Sequence, residues 1–377
     1  MKKVLYFAAA ALALAACSKN EVLDVNKGEA INFRTVVNGS TKATPVAAFA
    51  NDDEINVYAD YAGAKYFQTN FKFNTTTGFT STKKYYWPAT VDNDHKMTFS
   101  AIFNATQVAD APGTISAFSP ATAAADQKDV LFAKTVVSSV TPTIKTTGVV
   151  LNFRHALSQV IVNVKNTNPN MVFDIKEVKF AFLKTGGDFD GSSVDNTDAK
   201  VVNSADDAAK HLTQAMWTGL TPATATAENS YTQTSAVAGY SAPTAPATST
   251  ALGEPWMLVP QSKAAATAYT AADADTYMNG SYIAIKMIIK NATSGTVIAG
   301  GTEGIWCCWP ATVAWNPGYK YTYIVDLKDG GYFEQNQAST DEKLDPVLGG
   351  AEIFFSASYT IDDWTEADGT VDQLTTA

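Results

Sequence analysis

The chain has 377 residues, of which 46% are hydrophobic and 17% charged, and it carries a formal charge of −10 at pH 7. This acidic balance is a poor electrostatic match for nucleic acid, so we exclude nucleic acid as a partner. The length exceeds that of one typical hydrophobic core, and two domains are therefore expected.

The first sixteen residues have the build of a secretory signal peptide. Lys2 and Lys3 form a basic start, and residues 4–16 form an apolar run that is too short to span a bilayer. The segment LAAC, which ends at Cys17, resembles a bacterial lipobox, in which the cysteine thiol is acylated and the chain is cut just before it. We predict lipidation with palmitate-type chains at Cys17. The alternative is an ordinary signal peptide with a chance cysteine.

Attachment to the outer membrane by lipid alone is expected, because no second run of about 18 apolar residues occurs in the sequence. Several acyl chains on one cysteine make such an anchor stable, since each buried methylene contributes about 0.8 kcal/mol. Removal of residues 1–16 takes away two lysines and changes the formal charge from −10 to −12. We expect the mature chain to be exposed on the cell surface.

After the leader, apolar side chains alternate with polar ones, which is typical of antiparallel strands with one buried face. The frequent Thr, Tyr, Val and Phe residues also favour strands. The sequence therefore predicts an all-β fold with little helix. The alternating segments cover residues 31–37, 55–61, 97–103, 160–164, 283–289, 319–327 and 353–361.

A break near residues 142–147 separates two strand-rich halves, and we place the domain boundary there. Residues near 220–254 are dominated by Ala, Thr, Ser and Pro and predict a long exposed loop. The predicted organisation is a signal peptide at 1–16, a propeptide-like segment with the first strand at 17–42, an N-terminal antiparallel β-sandwich at 43–146 and a C-terminal one at 147–377.

The sequence carries no signature of a catalytic site, so we predict that the chain is not an enzyme and uses no cofactor. HExxH, GxSxG, P-loop and GxGxxG patterns do not occur. His155 is interpreted as a hydrogen-bonded structural residue. Four aspartates crowd one segment, but their spacing misses a calcium loop and turn capping explains them better, so no metal site is predicted. They are Asp188, Asp190, Asp195 and Asp198.

The cysteines and tryptophans each allow two interpretations. The adjacent Cys307 and Cys308 form either a strained vicinal disulfide or, as we prefer, two buried thiols. Exposed tryptophan rings in a row favour a sugar-stacking face, whereas rings packed at strand ends close the core, which we also prefer. The tryptophans concerned are Trp87, Trp256, Trp306, Trp309, Trp315 and Trp364.

Together these segments resemble the fimbrillin family, in particular its Mfa-like branch, whose members build type V pili or serve as surface lipoproteins of Bacteroidales. The sequence LNFRHALS around His155 is similar to the family's F-x-H-x-(L/M)-(S/A) segment. The order and spacing of the other pieces carry the rest of the resemblance. They are NDDEINVYA at 51–59, YYWP at 85–88, LVPQ at 258–261 and PGYKYTY at 317–323.

The resemblance implies two transthyretin-like β-sandwich domains and assembly by strand exchange. A protease cuts after the first strand, the strand leaves its groove in the first domain, and a neighbouring subunit supplies a replacement. The cut falls between Lys42 and Ala43, where relatives usually carry arginine, so either a different protease acts or the subunit stays uncut on its lipid. The displaced strand carries Ile31, Phe33, Thr35 and Val37.

The replacement strand is expected near the C-terminus, in a segment that can equally complete its own domain. Its candidate residues are Ile353, Phe355, Ala357, Tyr359 and Ile361. The predicted function is a structural and adhesive subunit of a fimbrium at the outer membrane, with other fimbrillin subunits as partners and a host or bacterial surface ligand as a further one. The alternative is a surface lipoprotein that does not polymerise and binds carbohydrate or a host ligand.

Overall fold

The computed structural model describes residues 25–37, 48–194, 197, 212–223, 229–242, 248–265, 280–327, 332–333 and 357–363. This part of the chain is almost entirely β, which confirms the all-β prediction. It contains no helix with the length and hydrophobicity needed to cross a bilayer. Several residues of the predicted sites lie outside it, namely Cys17, Lys42, Ala43, Ile353 and Phe355.

The regular elements follow one another in two groups. The first comprises β1 (Val25–Ala30), β2 (Phe33–Val37), β3 (Glu54–Tyr61), β4 (Ala64–Asn74), β5 (Gly78–Thr80), β6 (Tyr86–Pro88), β7 (Met97–Phe103), β8 (Thr114–Phe118), β9 (Leu131–Val137), α1 (Pro142–Thr147) and β10 (Val149–His155). The second comprises β11 (Ser158–Lys165), β12 (Met171–Ala181), β13 (Gly186–Asp190), β14 (Trp217–Thr221), β15 (Tyr231–Ser241), β16 (Thr250–Ala251), β17 (Trp256–Leu258), β18 (Ser262–Lys263), β19 (Tyr282–Asn291), β20 (Val297–Ala299), β21 (Ile305–Pro310), β22 (Val313–Ala314), β23 (Tyr319–Asp326), β24 (Tyr332–Phe333) and β25 (Ala357–Asp363).

Seven strands of the first group close into a barrel in the order β10-β2-β5-β4-β3-β7-β9. Most neighbours pair antiparallel, but β10 pairs with β2 in parallel, from Val149 opposite Phe33 to Phe153 opposite Val37. The prediction of purely antiparallel strands is therefore wrong for this half, and its prediction as a β-sandwich is not confirmed. Alternation along a strand shows which side chains face the core. It does not show whether a sheet closes on itself, because closure depends on pairing between strands that are distant in sequence.

The second group contains two larger sheets that share one core. One has the order β16-β11-β23-β25 with β17 beside β11, and the other has the order β15-β12-β19-β21-β24 with β20 beside β19. Both contribute side chains to the largest apolar cluster, for example Val162 and Tyr323 from the first sheet and Ile175 and Ile285 from the second. The pairing of β11 with β23 is parallel, so the expectation of purely antiparallel strands is wrong here as well.

A small sheet joins sequence from both groups, because β8 pairs with β13, and β13 pairs with β14. The ring of Phe132 in β9 lies 5.4 Å from that of Phe189 in β13, and Phe118 in β8 lies 5.6 Å from Trp217 in β14. These rings form a third apolar cluster. The predicted boundary between residues 146 and 147 stays a prediction, and β10, which follows it, lies in the barrel.

The break predicted near residues 142–147 is occupied by the helix α1. Thr141 Oγ1 accepts a hydrogen bond from the backbone N–H of Ile144 at 3.2 Å, and Pro142 takes an early helical position where no N–H is required. Gly148 ends the helix with a φ of 84°, which glycine adopts without strain. A threonine cap, a proline at the start and a glycine at the end thus explain this short helix.

The exposed loop predicted near residues 220–254 is wrong in part, because β15 runs through it. This strand pairs with β12 and lies at the edge of its sheet, with Tyr231 and Ser235 buried and the other side chains exposed or half-buried. A strand that is covered on one face tolerates threonine and serine on the other, and β12 supplies the backbone hydrogen bonds. Composition alone could not reveal this pairing.

The preferred interpretation of the cysteines is confirmed. Cys307 and Cys308 form no disulfide with each other and are buried in β21, where they lie opposite Ile285 and Ala284 of β19. Burial raises the pKa of the Cys307 thiol to about 12, because the apolar surroundings disfavour the thiolate.

Core closure is also confirmed for most of the described tryptophans. Trp87 is buried in the barrel, whereas Trp256, Trp309 and Trp315 are buried in the shared core of the second group. Trp306 is half-buried, and the ammonium group of Lys179 lies 4.5 Å from its ring centroid. Trp364 lies outside the described residues.

We expect both thiols to resist alkylation while the protein is folded, because they are buried and only the thiolate reacts. In a Cys17→Ser variant at about pH 8, iodoacetamide should leave the folded chain unmodified and add two groups after unfolding in guanidinium without reductant. Intact mass spectrometry checks this outcome. Labelling of the unfolded chain only after reduction would indicate a vicinal disulfide and contradict the interpretation as two buried thiols.

Candidate functional site

The candidate site is the position that β2 occupies in the barrel between β5 and β10, called here the β2 slot. β2 pairs with β10 along five residues and meets β5 where Phe33 lies opposite Phe79. The alternation of the sequence explains how the segment is seated. Ile31 and Phe33 are buried, whereas Asn32 and Arg34 between and after them are exposed.

The remaining residues predicted for the displaced strand follow in the same strand. Thr35 is half-buried, and Val37 is the last residue of β2, with its backbone opposite Phe153 of β10. The structure therefore places all four of these predicted residues in or directly before one strand of the barrel.

Phe33 is the most deeply inserted part of this segment, with 1% of its surface exposed. Its ring meets Phe71 at a centroid distance of 4.8 Å and Phe99 at 5.1 Å, with interplanar angles of 89° and 78°. Edge-to-face contacts of this kind stabilise an aromatic pair by about 0.5–1.5 kcal/mol beyond the burial of area. The β2 slot thus contains a pocket with aromatic walls, which we call the Phe33 pocket.

Two glycines let the neighbouring strands approach the backbone of this segment. A Cβ added at Gly148 would lie 2.8 Å from the carbonyl oxygen of Asn32, and one added at Gly78 would lie 3.0 Å from that of Phe33. Both glycines also have positive φ, 84° and 74°. The N–H of Val149 donates to the same oxygen of Asn32 at 2.8 Å. The chain is therefore closely enclosed at residues 32 and 33.

β10 is hydrogen-bonded unequally on its two sides. Five residues pair with β2, whereas on the β9 side only Arg154 and His155 pair, with Phe132 and Leu131. Where β9 and β10 diverge, the Thr135 hydroxyl donates to the carbonyl oxygen of Val150 at 2.7 Å, beside a cavity of about 300 Å³. The backbone of β10 is therefore held in the barrel mainly by β2.

The C-terminal end of β10 has an attachment that does not involve β2. His155 Nδ1 lies 2.6 Å from Asp129 Oδ2, and the two side chains are 5% and 0% exposed. This agrees with the interpretation of His155 as a structural residue. The N–H of Ala156 also donates to the carbonyl oxygen of Val130 at 2.8 Å. These bonds fix the end of β10 to the segment that leads into β9.

The segment before β2 has its own attachment. β1 pairs antiparallel with β6, with Val25 opposite Pro88 and Ala30 opposite Tyr86. The N–H of Ile31 then donates to the carbonyl oxygen of Tyr85 at 2.7 Å. The N-terminal segment is thus held at two successive places, first beside β6 and then in the β2 slot.

The first buried residue after residues 38–47 is Phe49, with 7% of its surface exposed. Its ring contacts Phe79 of β5 at 5.1 Å and Phe153 of β10 at 5.2 Å, and it also contacts Phe73 and Phe103. Phe49 therefore bridges the two strands that flank the β2 slot. Sequence reasoning missed this residue and the two glycines, although a lone phenylalanine beside a turn is a usable signal for such a contact.

The candidate replacement strand is seen only in part. Ala357, Tyr359 and Ile361 lie in β25, which pairs antiparallel with β23 along its whole length. β25 is the last strand in the order of its sheet, so within the described chain it has a neighbour on one side only. The described part of the candidate strand therefore lies beside β23 of its own chain, which agrees with one of the two positions that the sequence allowed.

The aspartates considered for calcium make backbone contacts. Asp188 Oδ1 accepts the N–H of Ala117 at 2.6 Å, and Asp190 Oδ1 accepts that of Ser192 at 2.8 Å. Asp195 and Asp198 lie outside the described residues. Among the residues that the structure describes, no three His, Cys, Asp or Glu side chains converge as a metal ion requires.

The chain belongs to the fimbrillin-like family, whose model matches residues 41–346. The resemblance inferred from the sequence is therefore confirmed. The matched region begins after β2 and ends before β25. No curated protein matches the sequence.

Solved structures similar to this one include a fimbrial protein from Bacteroides vulgatus. It is 14% identical, the match covers 89% of this chain and 100% of that one, and the TM-score is 0.51. A candidate cell adhesion protein from Bacteroides ovatus is 15% identical over 90% of this chain and 99% of that one, with a TM-score of 0.46. At these identities the first likeness concerns the fold alone.

We expect Phe33→Ala to destabilise the barrel by about 3–5 kcal/mol, because it empties the Phe33 pocket. Arg34→Ala is the matched control, since Arg34 is exposed in the same strand. Hydrogen exchange measured by mass spectrometry on the full chain should show faster exchange of β2, β5 and β10 in the first variant and wild-type exchange in the control. Equal effects of the two substitutions would contradict the pocket.

Proposed function

We propose that this chain is a structural and adhesive subunit of a surface fimbria, exported as an outer-membrane lipoprotein and assembled by protease-triggered strand exchange. The observation that carries the proposal is the position of β2, which fills the barrel between β5 and β10. Residues 38–47 join β2 to the rest of the barrel and contain the expected cut between Lys42 and Ala43. One cut there leaves β1 and β2 held by non-covalent contacts alone.

The empty β2 slot would be a strong acceptor for another strand. Removal of β2 opens the backbone edge of β10 along five residues and uncovers the aromatic walls at Phe71 and Phe99. An open sheet edge beside an apolar groove favours addition of an extended segment, because main-chain hydrogen bonds and alternating side chains both fit it. Full burial of one phenylalanine side chain contributes about 1.5–3 kcal/mol.

The barrel has features that would keep the slot in shape while β2 is absent. Phe49 contacts Phe79 and Phe153 on the two strands that flank the slot, and it lies after the expected cut. His155 and Asp129 hold the end of β10 independently of β2. The acceptor is therefore largely organised before a new strand enters, which reduces the entropy that binding must overcome.

The proposed donor is the strand of residues 353–361 from a neighbouring copy. Among the residues that the structure describes, its described part, β25, is the last strand of its sheet and has β23 as its one neighbour. Release of an edge strand breaks one backbone ladder, whereas a strand inside a sheet has two. Transfer into the β2 slot replaces this ladder with the one along β10 and adds burial in the Phe33 pocket.

Membership of the fimbrillin-like family supports a fimbrial or adhesion function at the cell surface, with other subunits as partners. The similar fold of a fimbrial protein agrees with an architectural function. The buried tryptophans give no exposed row of rings among the described residues, so the carbohydrate-binding alternative has no structural observation in its favour.

We expect precursor and assembled forms to differ at the N-terminus. Mass spectrometry of protein from its native cell surface should find acylated Cys17 on the precursor and a free Ala43 on the subunits within fimbriae. A Lys42→Gln variant should accumulate as the acylated form, and Lys84→Gln serves as the control at an exposed lysine elsewhere. Fimbriae built from subunits that all retain acylated Cys17 would contradict the exchange step.

Cleavage between β2 and Phe49 should be sufficient to start assembly. In the full chain with a site-specific protease sequence at residues 40–45, cutting should release residues 17–42 and produce a ladder of oligomers on gel filtration and mild denaturing gels. The same protein left uncut should stay monomeric. A cut protein that loses β2 and remains a monomer at high concentration would contradict strand exchange.

A further inference from the structure

We propose that the β2 slot recognises its incoming strand mainly through the Phe33 pocket, and that Phe355 of a second copy of this chain fills this pocket. The incoming strand runs in the same direction as β2, with Ile353 at the position of Ile31 and Phe355 at the position of Phe33. The inference rests on the proposed strand exchange and specifies its register, direction and principal specificity residue.

The shape of the pocket favours an aromatic ring. Phe33 is 1% exposed and meets Phe71 and Phe99 edge to face, at angles of 89° and 78°. Phe71 and Phe99 are themselves completely buried, so the pocket is closed behind the ring. A flat apolar side chain makes these contacts, whereas a shorter one leaves a void and a polar one buries a group without a partner.

The backbone around the pocket restricts the register. Gly78 and Gly148 bring the adjoining strands against the carbonyl oxygens of residues 33 and 32, and Val149 donates to the oxygen of Asn32 at 2.8 Å. A shift of one residue turns every inward side chain of the strand outward. A shift of two residues keeps the alternation and places a different side chain in the pocket, so the side chains must decide between these registers.

The two segments match position by position when they are read in the same direction. Ile31, which lies just before β2, and Phe33 and Thr35 within it correspond to Ile353, Phe355 and Ala357 in the sequence INFRTVV against IFFSASY. Ile31 is 2% exposed and Phe33 1% exposed, and these two positions carry identical residues in both segments. The small Ala357 falls at the half-buried position of Thr35.

Other arrangements place less suitable residues in the Phe33 pocket. A shift of two residues in either direction inserts Ile353 or Ala357, neither of which has a ring. Reversal of the strand, with Ile361 at the position of Ile31, inserts Tyr359 and buries its hydroxyl among apolar rings. The parallel arrangement with Phe355 in the pocket is therefore favoured.

The sequence provides a matched control for this inference. Phe354 is adjacent to Phe355 and has the same side chain, but in the proposed register it corresponds to Asn32, which is exposed. Substitution of either residue removes the same apolar surface from the free strand. Only the substitution of Phe355 empties the pocket.

The experiment uses the full chain cut at residues 40–45 and synthetic peptides of residues 351–363. Fluorescence anisotropy measures peptide binding, and mass spectrometry measures release of residues 17–42. We expect the F355A peptide to bind at least about tenfold more weakly than the wild-type peptide, and the F354A and Y359A peptides to stay within about threefold of it.

The outcomes separate this inference from the exchange on which it rests. Weak binding by the F354A peptide with normal binding by F355A would show that the opposite face enters, and a larger loss with Y359A than with F355A would show a reversed strand. Either result overturns the proposed register while strand exchange stands. Failure of the wild-type peptide to bind the cut protein or to release residues 17–42 would overturn both proposals.

Discussion

The parallel ladder between β2 and β10 is the interaction on which the barrel depends. β10 has five paired residues on the side of β2 and two on the side of β9, so the first barrel strand in the chain is joined to the last, which is far away in sequence. Phe33 fixes this ladder from inside, through its contacts with Phe71 and Phe99. The N-terminal strand is therefore structurally essential, yet it is joined to the barrel by one short segment of chain.

β2 is attached to the barrel in two ways, covalently through residues 38–47 and non-covalently through its contacts in the β2 slot. Loss of β2 into water would expose Phe33 and the aromatic walls of its pocket, at a cost of several kcal/mol, so the strand remains in place without a replacement. Exchange for a similar strand restores the backbone bonds along β10 and the burial in the Phe33 pocket, and its net free energy also includes the ladder that the donor strand gives up at β23. Assembly by such an exchange requires a proteolytic cut that frees β2 from the chain. It also requires a donor strand that matches β2 closely enough to make the exchange favourable.

The attachments at the two ends of the slot have different functions in this scheme. β1 beside β6 and the bond from Ile31 to Tyr85 hold the segment that would leave. Phe49 and the buried contact between His155 and Asp129 hold the part that would remain. The small sheet of β8, β13 and β14 ties the segment between the barrel strands β7 and β9 to the second group of strands through hydrogen-bonded backbone.

The sequence by itself determined the all-β class, the family, the buried cysteines and tryptophans and the segment that contains Phe33, because alternation, motif order and hydrophobicity are local properties. Only the tertiary structure decided that the first half closes as a barrel, that two strand pairs are parallel and that β15 runs through an Ala- and Thr-rich segment. These features depend on pairing between distant strands, about which a local pattern carries no information. The same reason applies to Gly78, Gly148 and Phe49. The two glycines matter because residues 32 and 33 lie against them, and Phe49 matters because it contacts β5 and β10.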